Sequence, residues 1–258
     1  MRFSPVQIAL HDDQRDLGTA GIAILVRTLA RLFPPGGTIL DVGGGSGWAV
    51  PLLRAAGVVP ILLDISPDML AAAARRTVPR IQADLTRLPF RTAALAGIHA
   101  SYALQNVADW RAAIHESARV LLPGGIAVVA WGSVPTDELL RDVSAHYLNL
   151  VRPWSGVEAE RRGLDSTDVA DATFAACGFD VLRPVSVTGN QIRTPRQIVE
   201  RVAANPFRAR PPAKARAAAL TDTLGWTRAR YGDLDLSREV TIQHVMHVYR
   251  RLDPPGTG

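Results

Sequence analysis

The residues with the clearest chemical potential are a run of glycines and three aspartates in the first third of this 258-residue chain. The run is Ile39-Leu40-Asp41-Val42-Gly43-Gly44-Gly45-Ser46-Gly47, placed where a buried strand gives way to a helix. Gly43, Gly45 and Gly47 let the backbone turn sharply and approach a ligand closely, which a Cβ atom would prevent. A dinucleotide loop needs Gly-x-Gly-x-x-Gly or a terminal Ala. Counted from Gly43 the sixth residue is Trp48, and from Gly45 it is Val50, so neither register fits. The Lys and following Ser/Thr of a P-loop are missing as well, so a triphosphate has no partner here. Asp41, directly before the loop, would repel a pyrophosphate but suits a zwitterion carrying an ammonium and a sulfonium. Read alone, Asp41 could also simply cap the turn.

Two further acids fall at successive strand ends. Asp64 closes the second strand, 17 positions beyond Gly47, where a carboxylate can accept from both hydroxyls of a ribose. Asp84, in Gln82-Ala83-Asp84-Leu85, follows a short third strand and could accept from an adenine amino group. Each acid alone reads equally as a helix cap or a solvated residue. Together with the glycine loop they line the crevice in which open parallel sheets bind ligands.

The elements that must position these groups alternate. The pattern predicts a helix over Gly18 to Phe33 with Ile22, Leu25, Val26, Leu29 and Leu32 on one face, stopped by Pro34-Pro35-Gly36-Gly37. Strands follow at Thr38–Val42, Val58–Ile65, Arg80–Ala83, Ala96–Ser101 and Ile126–Trp131, and helices at Trp48–Ala56 and Trp110–Leu121. Ser66-Pro67-Asp68 starts another helix, with Ser66 as cap and Pro67 in its first turn. Strands separated by such helices imply βαβ crossovers and a parallel sheet. Beyond Gly132 the sequence predicts helices at Asp137–Leu150 and Thr167–Cys177, and strands at Phe179–Val187 and Glu239–Tyr249. Thr194 to Tyr231, polar and Arg-rich, reads as a helical lid over one end of the sheet, too short and too polar to own a core.

The glycine loop resembles motif I of class I S-adenosylmethionine-dependent methyltransferases. The chain is similar to their ubiquinone/menaquinone-biosynthesis and small-molecule subgroup. The similarity runs through Asp64-Ile65-Ser66-Pro67-Asp68-Met69-Leu70, Ala83-Asp84-Leu85, Leu88-Pro89-Phe90, Ser101-Tyr102-Ala103-Leu104-Gln105-Asn106-Val107 and Ala118-Arg119-Val120-Leu121-Leu122-Pro123-Gly124-Gly125. These pieces cover about Thr38 to Gly132 in family order. The resemblance implies an α/β, Rossmann-like sheet, seven-stranded and mostly parallel, with helices on both faces, an antiparallel edge strand and a helical lid insertion. It implies one domain over 1–258: a helical cap (1–37), a cofactor-binding core (38–132) and a substrate-side half (133–258) with its lid at about 190–236.

S-adenosyl-L-methionine is the implied cofactor. Gly43, Gly44, Gly45 and Gly47 would pass under its methionine part, with Asp41 supporting the loop. Asp64 would hold the ribose, Ile65 and Met69 would pack near the adenine, and Asp84 with the Leu85 backbone would read the adenine edge. Ser101 and Gln105 would lie by the cofactor, with Tyr102 and Gln105 facing the acceptor. One departure is Gly97, where this family commonly has an acid.

Methyl transfer from a sulfonium is an in-line displacement whose leaving group is already activated, so alignment and exclusion of water dominate. A base matters only for an acceptor of high pKa; His11, Tyr102 and His146 are the candidates, each with packing or solvent exposure as the plainer alternative. Trp131, Trp154 and Trp226 could line a pocket or be ordinary core. No metal is expected: His244 and His247, three apart on a strand, face opposite ways.

The sequence carries a formal net charge of +5, a pI near 10.1 and Lys214 as its only lysine. Its arginines are dispersed, unlike the clustered stripe of a nucleic-acid footprint, so the expected partner is a small molecule. Cys177 is the only cysteine, which excludes an intrachain disulfide. The N-terminal segment lacks the apolar core of a secretory signal and no run reaches ~20 apolar residues, so the expectation is a cytoplasmic monomer or homodimer with no membrane segment. Other readings stay open: an S-adenosylmethionine-binding enzyme of this fold with non-methylating chemistry, a cofactor sensor, or a macromolecule methyltransferase. An Asn/Asp-Pro-Pro-Tyr/Phe motif for amino groups is replaced by Ser101-Tyr102-Ala103-Leu104.

Overall fold

The computed structural model describes residues 17–131, 133–154, 166–204 and 211–253. His11 lies outside the described residues, as does the N-terminal part of the expected cap. The first described helix, α1 (Gly18–Leu32), lays Leu25 and Leu29 against the sheet and meets Gly189 of a late strand so closely that Gly21 has no room for a Cβ.

The apolar runs become strands in the expected order: β1 (Thr38–Val42), β2 (Val59–Asp64), β3 (Arg80–Gln82), β4 (Leu95–Ser101) and β5 (Leu121–Ala130). All four pairings among them are parallel, and they set Asp41 beside Leu62 and His99. Crossover helices are α2 (Val50–Ala55), α3 (Pro67–Ala72) and α4 (Trp110–Val120). Ser66 caps α3, its Oγ accepting from the Met69 N–H, with Pro67 in the first turn. Asp109 caps α4 by accepting from the Ala112 N–H at 3.0 Å.

The second half adds β6 (Ser133–Pro135), α5 (Glu138–Val151), α6 (Thr167–Ala176), β7 (Phe179–Arg193), α7 (Pro195–Ala204), α8 (Ala213–Tyr231) and β8 (Arg238–Arg251). The sheet order is β3-β2-β1-β4-β5-β8, with β7 closing the edge against β8. These seven strands are the expected sheet; β6 is a three-residue addition pairing with Ile242–His244 of β8. β8 runs antiparallel to both β5 and β7, which places the antiparallel pairings at this edge. β7 runs past the predicted Val187 because Thr188 to Arg193, in which buried Gly189 and Gln191 alternate with exposed residues, stays extended by pairing with β8 out to Arg193↔Arg238.

Helices cover both faces. One core packs α4, Phe174 of α6, Phe179 and Tyr249 against the sheet; the other packs α1 and α2. Phe174 stacks on Tyr249 at 3.6 Å between ring centroids, and the Tyr249 hydroxyl donates to Asp171 at 2.6 Å. A third cluster shows where the Arg-rich stretch, too short and polar to own a core, buries its apolar residues. Ile198, Val199 and Val202 of α7 and Ala219 of α8 bury themselves on Leu139, Val143, Tyr147 and Val151 of α5 and Val240 of β8. The stretch shares its core with α5, which the polar composition of its exposed side concealed. Among the described residues, no helix is long and apolar enough to cross a membrane.

Gly97 has a packing reason. A Cβ there would lie 2.7 Å from Ile39 Cδ1 and from Phe33 Cδ1 and Cε1, where α1 ends over β4. Gly97→Val is expected to destabilise the protein by about 1–3 kcal/mol through overpacking. Urea unfolding monitored by circular dichroism measures it, and an unchanged midpoint contradicts this packing.

Candidate functional site at the carboxyl edge of the parallel strands

β1 ends at Val42 and the chain turns through glycines of positive φ, +59° at Gly43, +57° at Gly45 and +77° at Gly47, which side-chain-bearing residues rarely adopt. The turn closes on itself through Gly47 N–H to Gly44 O at 2.9 Å and leads into α2. Close neighbours add a second constraint. A Cβ on Gly43 would lie 2.6 Å from Ala103 Cβ, beyond β4, and one on Gly44 would lie 2.6 Å from Asp41 Oδ2. The loop is therefore seated on the tips of both strands that flank β1.

Asp64 ties it to the β2 side. Its Oδ2 accepts from the Gly45 N–H at 2.9 Å, and its Oδ1 accepts from the Ser66 N–H at 2.8 Å. Gly44 N–H adds a bond to Leu63 O at 3.1 Å. Burial pushes the Asp64 carboxyl up from its ordinary value; the Ser66 and Gly45 N–H groups oppose that, and the charge of Asp41 adds to it. Asp41 is 1% exposed, and its Oδ1 lies 2.8 Å from Nδ1 of His99, itself 2% exposed on β4. Asp41 Oδ2 has no hydrogen-bond partner among the described residues. Two carboxylates thus sit within electrostatic range in a low-dielectric crevice, with one imidazole as direct partner.

His99 is the member that sequence reasoning missed. It is 58 residues from Asp41, and only the parallel register that sets Asp41 against His99 brings them together. A polar residue amid the apolar run of β4 was the available signal.

The remaining predicted residues divide. Ile65 follows the end of β2 with 60% of its surface exposed, whereas Met69, within α3, is buried. Asp84 lies at the β3 tip, exposed, and its Oδ1 accepts from the N–H and hydroxyl of Thr86 at 2.9 and 2.8 Å. Its side chain supports its own turn and makes no described bond to Asp41 or Asp64. Leu85 turns into the core under the sheet. Ser101 is buried at the tip of β4, opposite Ala130.

Tyr102 follows with a φ of +59°, and Gln105 donates from Nε2 to Trp131 O at 3.1 Å. Gln105 Oε1 is buried without a partner among the described residues. His146 is placed elsewhere: it bonds Asp222 of α8 at 2.8 Å and stacks on Trp226 at 4.4 Å, joining α5 to α8. His244 and His247 face opposite ways as expected, His244 beside Tyr102 and His247 beside Trp131. Among the described residues no group of three or more His, Cys, Asp or Glu could hold a metal ion.

Residues 40–129, which contain the glycine turn, Asp41, Asp64, Asp84, His99, Ser101 and Gln105, match the family described as a methyltransferase domain. Over that stretch the chain is similar to methyltransferases. The demethylmenaquinone methyltransferase of Mycolicibacterium paratuberculosis is 39% identical to it over 119 residues, 46% of this chain and 52% of that protein. The chain thus spans about half the length of the curated relatives it matches. Among solved structures, it is similar to the (4+2)-cyclase SpnF, with a TM-score of 0.57 and 20% identity over 94% of this chain and 85% of that one. It is also similar to a Haemonchus contortus phosphoethanolamine N-methyltransferase solved with S-adenosylhomocysteine, with a TM-score of 0.53 and 15% identity over 92% of this chain and 53% of that one. These two likenesses concern the fold of the methyltransferase domain alone.

Because the folded-state pKa of Asp64 is raised, the folded protein holds this proton more tightly than the unfolded chain does. The stability that Asp64 lends relative to Asp64→Ala should therefore decline as pH rises from the ordinary Asp value of 3.8, and level off once its raised folded pKa is passed. Parallel denaturant titrations of the two proteins across this window test it; a difference that grows with pH contradicts the assignment.

Proposed function

We propose that the protein transfers a methyl group from S-adenosylmethionine to a small-molecule acceptor in the cytoplasm, acting as a monomer or homodimer and without a metal or nucleic acid. The observation that carries this reading is the Asp64 carboxylate held against the Gly45 N–H at the mouth of a positive-φ glycine turn, with Ile65 exposed beside it. The demethylmenaquinone methyltransferases that share residues of this region support it.

The residues fit the cofactor. Asp64 would exchange one backbone donor for ribose hydroxyls, a carboxylate oxygen having lone pairs for more than one. Exposed Ile65, with Met69 of the neighbouring α3, would give the adenine an apolar face. Asp84 and the Leu85 backbone, at the neighbouring tip, would take the adenine edge. The turn at Gly43, Gly44, Gly45 and Gly47 would carry the amino-acid part, over Asp41, with Ser101 and Gln105 on the β4 side. The cofactor, when bound, supplies a methyl group on an activated sulfonium.

The protein's own contribution is electrostatic and geometric. Asp41 and Asp64 form a field that favours a cation over a neutral thioether, so the donor would bind more firmly than the spent product. The substrate-side residues, Tyr102 first among them, would align the acceptor. His146, engaged with Asp222 and Trp226, fits a structural role between helices better than a chemical one.

Isothermal calorimetry with S-adenosylhomocysteine tests the reading. The wild-type protein should bind it, and Asp64→Ala should lose about 1–3 kcal/mol of that affinity with the loss of the charge-assisted bonds. No binding by the wild type, or equal affinity in the variant, refutes the cofactor assignment.

A further inference from the structure

The register of the last strands builds a second feature at the same sheet edge. β5 pairs with β8 only up to Val129↔His247, and β6 then takes over at Ser133↔His244. Beyond Gly189↔Ile242, β7 and β8 pair only with each other, as a ribbon leading into α7 on one strand and α8 on the other. His244 therefore sits where the parallel sheet ends and the ribbon begins. It is 3% exposed, and its ring lies 6.1 Å from that of Tyr102.

Tyr102 is held in a backbone conformation uncommon for a bulky residue, φ +59°, by two bonds. Its N–H donates to Ala130 O at 2.8 Å, and its carbonyl accepts from Asn106 Nδ2 at 2.7 Å. Strain of this kind concentrates at functional sites. Three residues on, the Gln105 amide is anchored through Nε2 on Trp131 O, while its buried Oε1 has no donor among the described residues. A buried acceptor of this sort is destabilising unless a donor reaches it. The neighbourhood thus offers an imidazole and an unmet carbonyl beside the tips of β4 and β5.

We propose that His244 is the catalytic base of the transfer and that the acceptor attacks through a weakly acidic hydroxyl, a second hydrogen-bond donor of the same molecule meeting Gln105 Oε1. This rests on the methyl-transfer reading above. In the step, the acceptor O–H bond breaks and its proton passes to the imidazole of His244. The oxygen lone pair forms the bond to the methyl carbon while the carbon–sulfur bond breaks and leaves its electron pair on sulfur. The sulfonium becomes a neutral thioether, the acceptor an ether, and His244 later releases the proton to solvent. Neutral imidazole and cationic donor are thereby exchanged for imidazolium and neutral thioether, so charge balances.

The test uses two phenols with the full-length protein. One is 4-nitrophenol, whose ionised form absorbs at longer wavelength; the other is a weakly acidic phenol of the same shape, 4-ethylphenol. With S-adenosylhomocysteine present, wild-type protein should shift bound 4-nitrophenol toward its ionised spectrum, and His244→Gln should not. With S-adenosylmethionine, His244→Gln should lose on the order of 100-fold or more in turnover of 4-ethylphenol. Its loss on pre-ionised 4-nitrophenol should stay within about fivefold, because no proton then needs removing. Calorimetry with S-adenosylhomocysteine is the folding control: His244→Gln should bind within about twofold of wild type. Gln105→Leu is a second variant, expected to weaken acceptor binding while keeping the spectral shift at saturation.

A spectral shift retained in His244→Gln, or equal losses on both phenols, overturns the proposal. So does a wild type that binds S-adenosylhomocysteine yet neither shifts nor methylates either phenol. Failure of the wild type to bind S-adenosylhomocysteine at all would instead strike the methyl-transfer reading on which the proposal stands.

Discussion

Asp64 holds two backbone N–H groups at once, that of Gly45 in the turn after β1 and that of Ser66 at the start of α3. This double bond to the main chain stitches together the loops that follow two adjacent parallel strands. Without it the glycine turn, whose positive φ angles and missing side chains make it conformationally permissive, would be tied to β2 only through the Gly44 N–H on Leu63 O. The cost is a carboxylate taken out of water within electrostatic range of a second one, Asp41, whose side chain His99 engages at 2.8 Å. A cation bound in the crevice would relieve that cost, and the pairing of β1 with β2 and β4 holds the two acids in place.

The parallel half of the sheet was largely readable from the chain, because each buried strand writes itself as an apolar run and each helix start carries its own chemistry. Ser66 with Pro67 marked α3 through an interaction local in sequence. The glycine turn and Asp64 were legible for the same reason: they fall at the transitions between patterns. The interactions that escaped are those set by tertiary register. His99 meets Asp41 only because β1 and β4 align. The outer half of β7 stays extended because β8 lies beside it, not because its residues favour a strand. The small core shared by α5, α7 and α8 was hidden because its apolar residues come from three separated segments, two of them mostly polar. Asp84 shows the opposite limit, since sequence placed it at the correct strand tip while the turn it supports engages its side chain.

Gly97 illustrates how a departure from a family pattern acquires meaning in three dimensions. An acid at that position would collide with Phe33 and Ile39, so its absence is tied to how α1 ends over β4. The same division runs through the molecule. The glycine turn, Asp41 and Asp64 lie within the stretch that matches a methyltransferase domain, while α1, the β7–β8 ribbon and the α5–α7–α8 layer lie outside it. Folds of this kind host more than one chemistry, as the likeness to a cyclase illustrates.

A crystal structure of the protein with S-adenosylhomocysteine decides whether Asp64 holds a ribose. The two ribose hydroxyls should lie within about 2.5–2.7 Å of the Asp64 carboxylate, with the amino-acid part of the ligand over the turn at Gly43 to Gly47. A nucleoside bound away from Asp64, or an Asp64 that keeps only its backbone partners while the ligand lies elsewhere, would contradict it.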